Sequence, residues 1–177
     1  LSVAGVPLGA AFGLADYAQI GYNGVTKWTA KWNWSNKTTA TALANVQNLI
    51  GRWPIKDKAF RHDPGPFFLA KTANQLQPEQ QYTLLLLYTL LGEVWLCADL
   101  VEDYSAEQWS EWNSILKWKG SQVEHIEQVS PLLYYIYFHQ QSDQFVAICN
   151  LSTKKVIAHL RKRQYPLEAM ESWIVKS

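Results

Sequence analysis

The run YTLLLLYTLLGEVWLCADLVEDY, residues 82–104, is the most apolar stretch of the chain, and any fold must find a place for it. A bilayer span needs about 20 predominantly apolar residues. Here the uncharged part, from Gln80 to Gly92, is cut short by Glu93 and then Asp99. Pro78 and Glu79 form a good helix start, because Pro fits the first turn and a carboxylate suits the positive end of the helix dipole. The pattern predicts a helix from Pro78 to about Asp103, apolar nearly all round and therefore buried on most sides. Ser105 with Gln108 reads as a capping box opening a second helix. Its stripe is Trp109, Trp112 and Leu116, with Lys117 and Lys119 near its end and Gly120 as its stop. The expected product is a core helix hairpin.

The segments before it are less regular. LSVAGVPLGAAFGLADY spaces Gly5, Gly9 and Gly13 four apart, a strip that permits close helix packing. KWTAKWNW follows, with Trp28, Trp32 and Trp34 among lysines in the manner of an interfacial belt. Pro7, Asp16, Gln19 and Asn23 argue against a span, so membrane contact by residues 1–34 is not favoured. Residues 1–24 read as a Gly/Ala-rich lead-in, and residues 1–20 as dispensable for folding. Ser35 or Asn36 should cap a helix through Ile50, with Leu43, Val46 and Ile50 buried and Gly51 as its stop. RWPIKDKAFRHDPGPFF reads as a loop that contains His62 and Asp63, with a short helix from Pro66 to about Gln75.

After Gly120 the period changes to two and no glycine follows. QVEHIEQV, LLYYIYFHQ, QFVAICN and KVIAHLRKR read as four antiparallel strands, and a closing helix is expected after Pro166. The fold class expected is α+β in one domain, 1–177. A helical part at 35–118 packs with a meander and helix at 122–177. A turn at Ser142-Asp143 pairs His139 with Val146, and one at Ser152-Thr153 pairs Val146 with His159. One face then carries Ile136, Phe138, Phe145, Ala147, Cys149, Val156, Ala158 and Leu160 as the core.

The opposite face carries the candidate chemistry. His139 and His159 fall in one row, separated by one strand, so their Cα atoms should lie roughly 10 Å apart. Two imidazoles so placed could act as base and acid on a phosphodiester. Lys155, Arg161 and Arg163 would meet the phosphates, and Tyr135 and Tyr137 would offer stacking surfaces. This is a metal-independent, RNA-cleaving or RNA-binding arrangement. The apolar Val146, Ile148 and Ile157 on the same face favour a covered surface instead.

The nine Trp and nine Tyr suit a thick aromatic core or a contact surface. Residues 79–111 carry seven acids and no Lys or Arg, whereas the C-terminal part is basic, a contrast that fits a polyanion or charged protein partner. Cys97 and Cys149, two cysteines far apart, are not a disulfide framework and suggest a reduced, cytosolic-type setting. Cys97 beside Asp99 lacks the cationic surroundings of a reactive thiol. No phosphate-binding glycine loop or zinc-protease motif is present, and no cofactor or metal is expected. Taken together, these features predict a non-catalytic interaction domain, a fragment of a larger and secreted-effector-like protein; RNA chemistry on the His face is the alternative.

Overall fold

The computed structural model describes residues 1–29, 40–68, 70 and 75–177. It contains a parallel α/β part followed by an antiparallel β part. Strands β1 (Ser2–Val3), β2 (Tyr17–Gln19) and β3 (Arg61–Asp63) form a parallel sheet in the order β1-β2-β3. A four-residue helix α1 (Leu8–Ala11) lies between β1 and β2, and helix α2 (Ala42–Arg52) links β2 to β3. Residues 1–20, expected as a lead-in, thus supply two of the three parallel strands. Ala18 is fully buried on β2, and Ala11 and Ala15 are buried beside it. Gly5, Gly9 and Gly13 have open space where a Cβ would stand, so they are not a packing strip. No helix of the described residues is long and apolar enough to cross a membrane.

Helix α2 starts later than the sequence suggests. Thr41 is its N-cap, and its hydroxyl accepts the Ala44 N–H at 3.2 Å; a hydroxyl here satisfies one of the orphan donors of the first turn. The expected caps Ser35 and Asn36 lie outside the described residues, as do Trp32 and Trp34. Gly51 sits inside the last turn rather than ending it. Of the helix expected from Pro66, the described residues 66–68 are not helical.

Helix α3 (Pro78–Leu91) begins at Pro78 with a capping box from Gln77 and Gln80, but stops at Gly92, well short of Asp103. Gly92 has no room for a side chain, since the Pro64 ring lies 2.8 Å from where a Cβ would stand. Beyond it the chain runs extended alongside Phe67. The Phe67 N–H donates to Leu96 at 3.0 Å, and the Ala98 N–H donates to Phe67 at 3.1 Å. Val94 and Trp95 suit this extended state, because β-branched and aromatic side chains fit a pleated surface. Helix α4 (Ala106–Leu116) has the Ser105/Gln108 capping box, and Gly120 follows with φ +82°.

The second half departs further from expectation. Strands β4 (Gln122–Ser130), β5 (Leu133–Gln140), β6 (Asp143–Asn150) and β9 (Ser172–Lys176) form one antiparallel sheet in the order β4-β5-β6-β9. β7 (Val156–Leu160) and β8 (Arg163–Leu167) form a separate two-stranded sheet. The helix expected after Pro166 is instead the end of β8, a turn and β9. Pro166 sits on β8 opposite Ile157, where a two-stranded ribbon tolerates its missing N–H. β9, with its Trp-Ile-Val run, takes the place beside β6 that the meander had given to β7. Helix and strand occupy comparable shares, 28% and 32%, so the helical N-terminal two-thirds is not what forms.

The main core joins both parts. α3 is its centre: Leu84 to Leu87, Leu90 and Leu91 are buried against α2, the parallel sheet and one face of the antiparallel sheet, including Tyr134, Ile136, Phe138, Ala147 and Cys149. The Thr83 hydroxyl lies 2.9 Å from both the Met170 carbonyl and Ser172 Oγ, and Trp28 Nε1 donates to the Leu151 carbonyl at 3.2 Å. A second cluster (Leu133, Tyr135, Val146, Ile148, Ala158, Leu160 and Leu167) fills the space between the large sheet and the β7–β8 ribbon.

Candidate functional site

The parallel sheet brings polar groups together at the carboxyl ends of its strands. Side chains alternate across a strand, and Ala18 and His62 turn to the buried face while Tyr17, Gln19, Arg61 and Asp63 take the other. In the ladder Gln19 is opposite Asp63, and Tyr17 is opposite Arg61. The Arg61 guanidinium donates to the Tyr17 hydroxyl at 2.8 Å and lies 5.5 Å from that ring. Gln19 Nε2 donates to Asn23 Oδ1. Asp63 is 9% exposed; its Oδ1 accepts the Gly65 N–H at 2.8 Å. Tyr22, 41% exposed, stands in the loop after β2.

Two close approaches fix these loops. A Cβ on Gly21 would lie 1.9 Å from the Pro64 carbonyl oxygen, and one on Gly65 (φ +84°) would lie 2.6 Å from the Tyr22 carbonyl oxygen. Asn45 of α2, fully buried, serves both loops. Its Oδ1 accepts the Tyr22 N–H at 2.7 Å, and its Nδ2 donates to the Pro64 carbonyl at 3.1 Å and also to the Tyr88 hydroxyl. Burial pushes the Tyr88 phenol well above its ordinary range, so it stays neutral.

Between α3 and α4, the Tyr104 hydroxyl donates to Asp99 Oδ2 at 2.9 Å, contacts Cys97 Sγ at 2.8 Å, and is held far above its usual pKa by burial and these neighbours. Ala70 N–H also donates to Asp99 Oδ2, at 3.0 Å. Cys97 and Cys149 are free thiols; burial pushes Cys149 up to about 12.

The residues singled out from the sequence are dispersed. His139 on β5 is opposite Gln144, not Val146, and its Nε2 meets Glu124 Oε1 at 2.7 Å. The expected pairing there is offset by two positions, which preserves the core face but shifts the turn to Gln141-Ser142. His159 lies on β7, in the other sheet, opposite Gln164 and exposed. The two imidazoles are therefore not in one sheet row. Tyr135 is 3% exposed beneath the ribbon and donates its hydroxyl to the His159 carbonyl at 2.9 Å. Tyr137 donates to Glu127 at 3.2 Å. Lys155 pairs with Glu168 at 2.7 Å, Arg161 donates to Ser177 Oγ at 2.6 Å, and Arg163 opens β8 in an exposed position.

Asp63, Gln19 and Asn23 were not singled out as a site from the sequence. The available signal was a repeated unit: a short strand, a Gly-containing turn and then a helix, once as DYAQIGYNG and again as FRHDPG.

No family model matches the chain, and no curated protein matches it in sequence. Among solved structures it is similar to α-galactosidase I from Mortierella vinacea, with a TM-score of 0.62 at 10% identity, over 86% of this chain and 42% of that one. A weaker likeness, with a TM-score of 0.41 at 13% identity, is to maltogenic amylase from S. marinus, over 64% of this chain and 22% of that one. The first likeness is one of fold, and this chain spans less than half of the α-galactosidase.

Proposed function

We propose that this chain is part of a carbohydrate-acting enzyme, with Asp63 as a proton-transferring carboxyl at the substrate site. The observation that carries this reading is the place of Asp63. It closes a parallel strand at its carboxyl end, where parallel α/β folds put their chemistry. One carboxylate oxygen is pinned by Gly65; Gln19 is its ladder partner and bonds Asn23, and the exposed Tyr22 stands in the loop after β2. A few convergent polar groups with an aromatic surface are what a small polar ligand requires. The fold likeness to an α-galactosidase supports the choice of a glycoside as that ligand.

Glycoside hydrolysis of the common kind uses two carboxyl groups flanking the scissile bond. Asp63 supplies one. The second carboxyl we assign to Asp99, on the segment that continues from Glu93, whose N–H donates to the His62 carbonyl of β3. The test is hydrolysis of nitrophenyl α- and β-glycosides by the purified chain and by Asp63→Asn. We expect turnover that drops about 10²–10⁴-fold in the variant, the usual contribution of a general acid. Equal rates in both proteins, or no turnover of any glycoside, would remove the reading.

A second reading, a non-catalytic interaction domain, draws on a different observation. Leu96, Leu100, Val101 and Trp109 are exposed on the α3–α4 connection and the start of α4. Exposed apolar patches of this kind mark contact surfaces. No glycoside turnover by the unaltered chain, with a protein partner protecting this patch from hydrogen exchange, would favour it.

A further inference from the structure

Two adjoining cavities lie at the amino end of β3, away from the Asp63 end. The larger, about 560 Å³, is lined by Trp53, Pro54, Lys56, Glu93, Ser121 and Gln122, among others. The smaller, about 110 Å³, shares Leu90, Glu93, Gly120 and Ser121 with it and extends to Trp95. Together they make a groove where the α/β part meets the start of β4.

The groove is equipped to bind. The Lys56 side chain is 13% exposed, and its ammonium bonds Asp57 Oδ2 at 2.8 Å and Glu93 Oε1. An ammonium has three N–H donors, so one is left over, and each carboxylate keeps a second acceptor oxygen. Ser121 Oγ is buried without a hydrogen-bond partner among the described residues, and Ser121 lines both cavities. A buried hydroxyl left unbonded costs free energy, and a ligand in the groove would relieve it. In the larger cavity Lys56 and Lys58 are balanced by Asp57 and Glu93, so nothing there selects a net charge. The alternation of donor and acceptor suits adjacent hydroxyls, each of which both donates and accepts. Trp53, Pro54 and Val123 supply an apolar wall.

We propose that this groove binds a neutral sugar ring, with vicinal hydroxyls on Lys56 and Glu93, a further hydroxyl on Ser121 Oγ, and an apolar face against Trp53. It is a second site, distinct from Asp63, and does not depend on the chemistry assigned to that residue. The test is titration of the chain with methyl hexosides, followed by tryptophan fluorescence and calorimetry, with inositol and inorganic phosphate as comparators.

Saturable hexoside binding is expected in the unaltered chain and in Asp63→Asn. Affinity should fall about tenfold or more in Lys56→Met and Glu93→Gln, the loss expected for a hydrogen bond to a charged group. Should Lys56→Met not fold, Ser121→Leu, which fills the junction of the two cavities, should block binding in a chain with an unchanged circular dichroism spectrum. Three results would overturn the proposal: no saturable hexoside binding, phosphate bound more tightly than any hexoside, or binding lost in Asp63→Asn but kept in the groove variants. The last would place the only sugar site at the carboxyl end of the sheet.

Discussion

Asn45 and Pro64 are joined by a buried hydrogen bond of 3.1 Å, from the Asn45 amide to the Pro64 carbonyl, which holds the turn after Asp63 against helix α2. The same side chain accepts the Tyr22 N–H at 2.7 Å. One residue therefore sets the spacing of the two loops that carry the carboxyl-end polar groups. Asn45→Leu should leave a buried N–H and a buried carbonyl unpaired, at about 1–3 kcal/mol each. Urea denaturation is the measurement. A variant as stable as the parent would show that water or a shifted loop replaces the amide.

His62 makes stability depend on pH. It is fully buried beside Phe60, and neither ring nitrogen has a hydrogen-bond partner among the described residues. Burial, with help from the Lys56 and Arg52 charges, lowers its pKa from 6.5 to about 4. Above pH 6.5 the ring is neutral in both folded and unfolded chains and adds no pH dependence. As pH falls from 6.5 towards 4, only the unfolded chain takes up the proton, so stability declines by at most about 1.4 kcal/mol per unit from this residue. His62→Leu should flatten that part of the profile, and identical slopes in the two proteins would contradict the assignment.

Leu86 is fully buried at the middle of α3. Leu86→Ala should cost about 2–5 kcal/mol, since a rigidly framed core leaves a cavity. Leu90, 3% exposed, borders the groove and has more freedom to collapse, so Leu90→Ala should lie at the lower end of the same range. Thermal melting of both variants gives the order directly.

Removal of residues 1–20 should abolish cooperative unfolding. It takes away β1 and β2 together with the buried Ala11, Ala15 and Ala18, and exposes the β3 edge. A truncated chain that stays soluble with a single sharp melting transition would mean that β3, α2 and α3 fold without a parallel neighbour.

Local patterns in the sequence settle a limited set of features, each within a few residues. Pro78 begins α3, Ser105 and Gln108 cap α4, Gly120 ends the helical region, and Ile136, Phe138, Phe145, Ala147 and Cys149 share the core face of two paired strands. These depend on capping chemistry and on alternation along a strand, both of which are written in neighbouring residues. The partner of a strand is not. SWIVK and VIAHL are both short apolar runs, and only packing decides that β9 pairs with β6 while β7 and β8 fold over Tyr135 and Ile148. That choice separates His139 from His159. The parallel strands are harder still: YAQ and RHD are three residues each, too short to show a period, and they pair with each other across more than forty residues of chain. Gln19 and Asp63 meet because α2 and α3 bury one face of that sheet, an arrangement set by tertiary packing and not by any run of sequence.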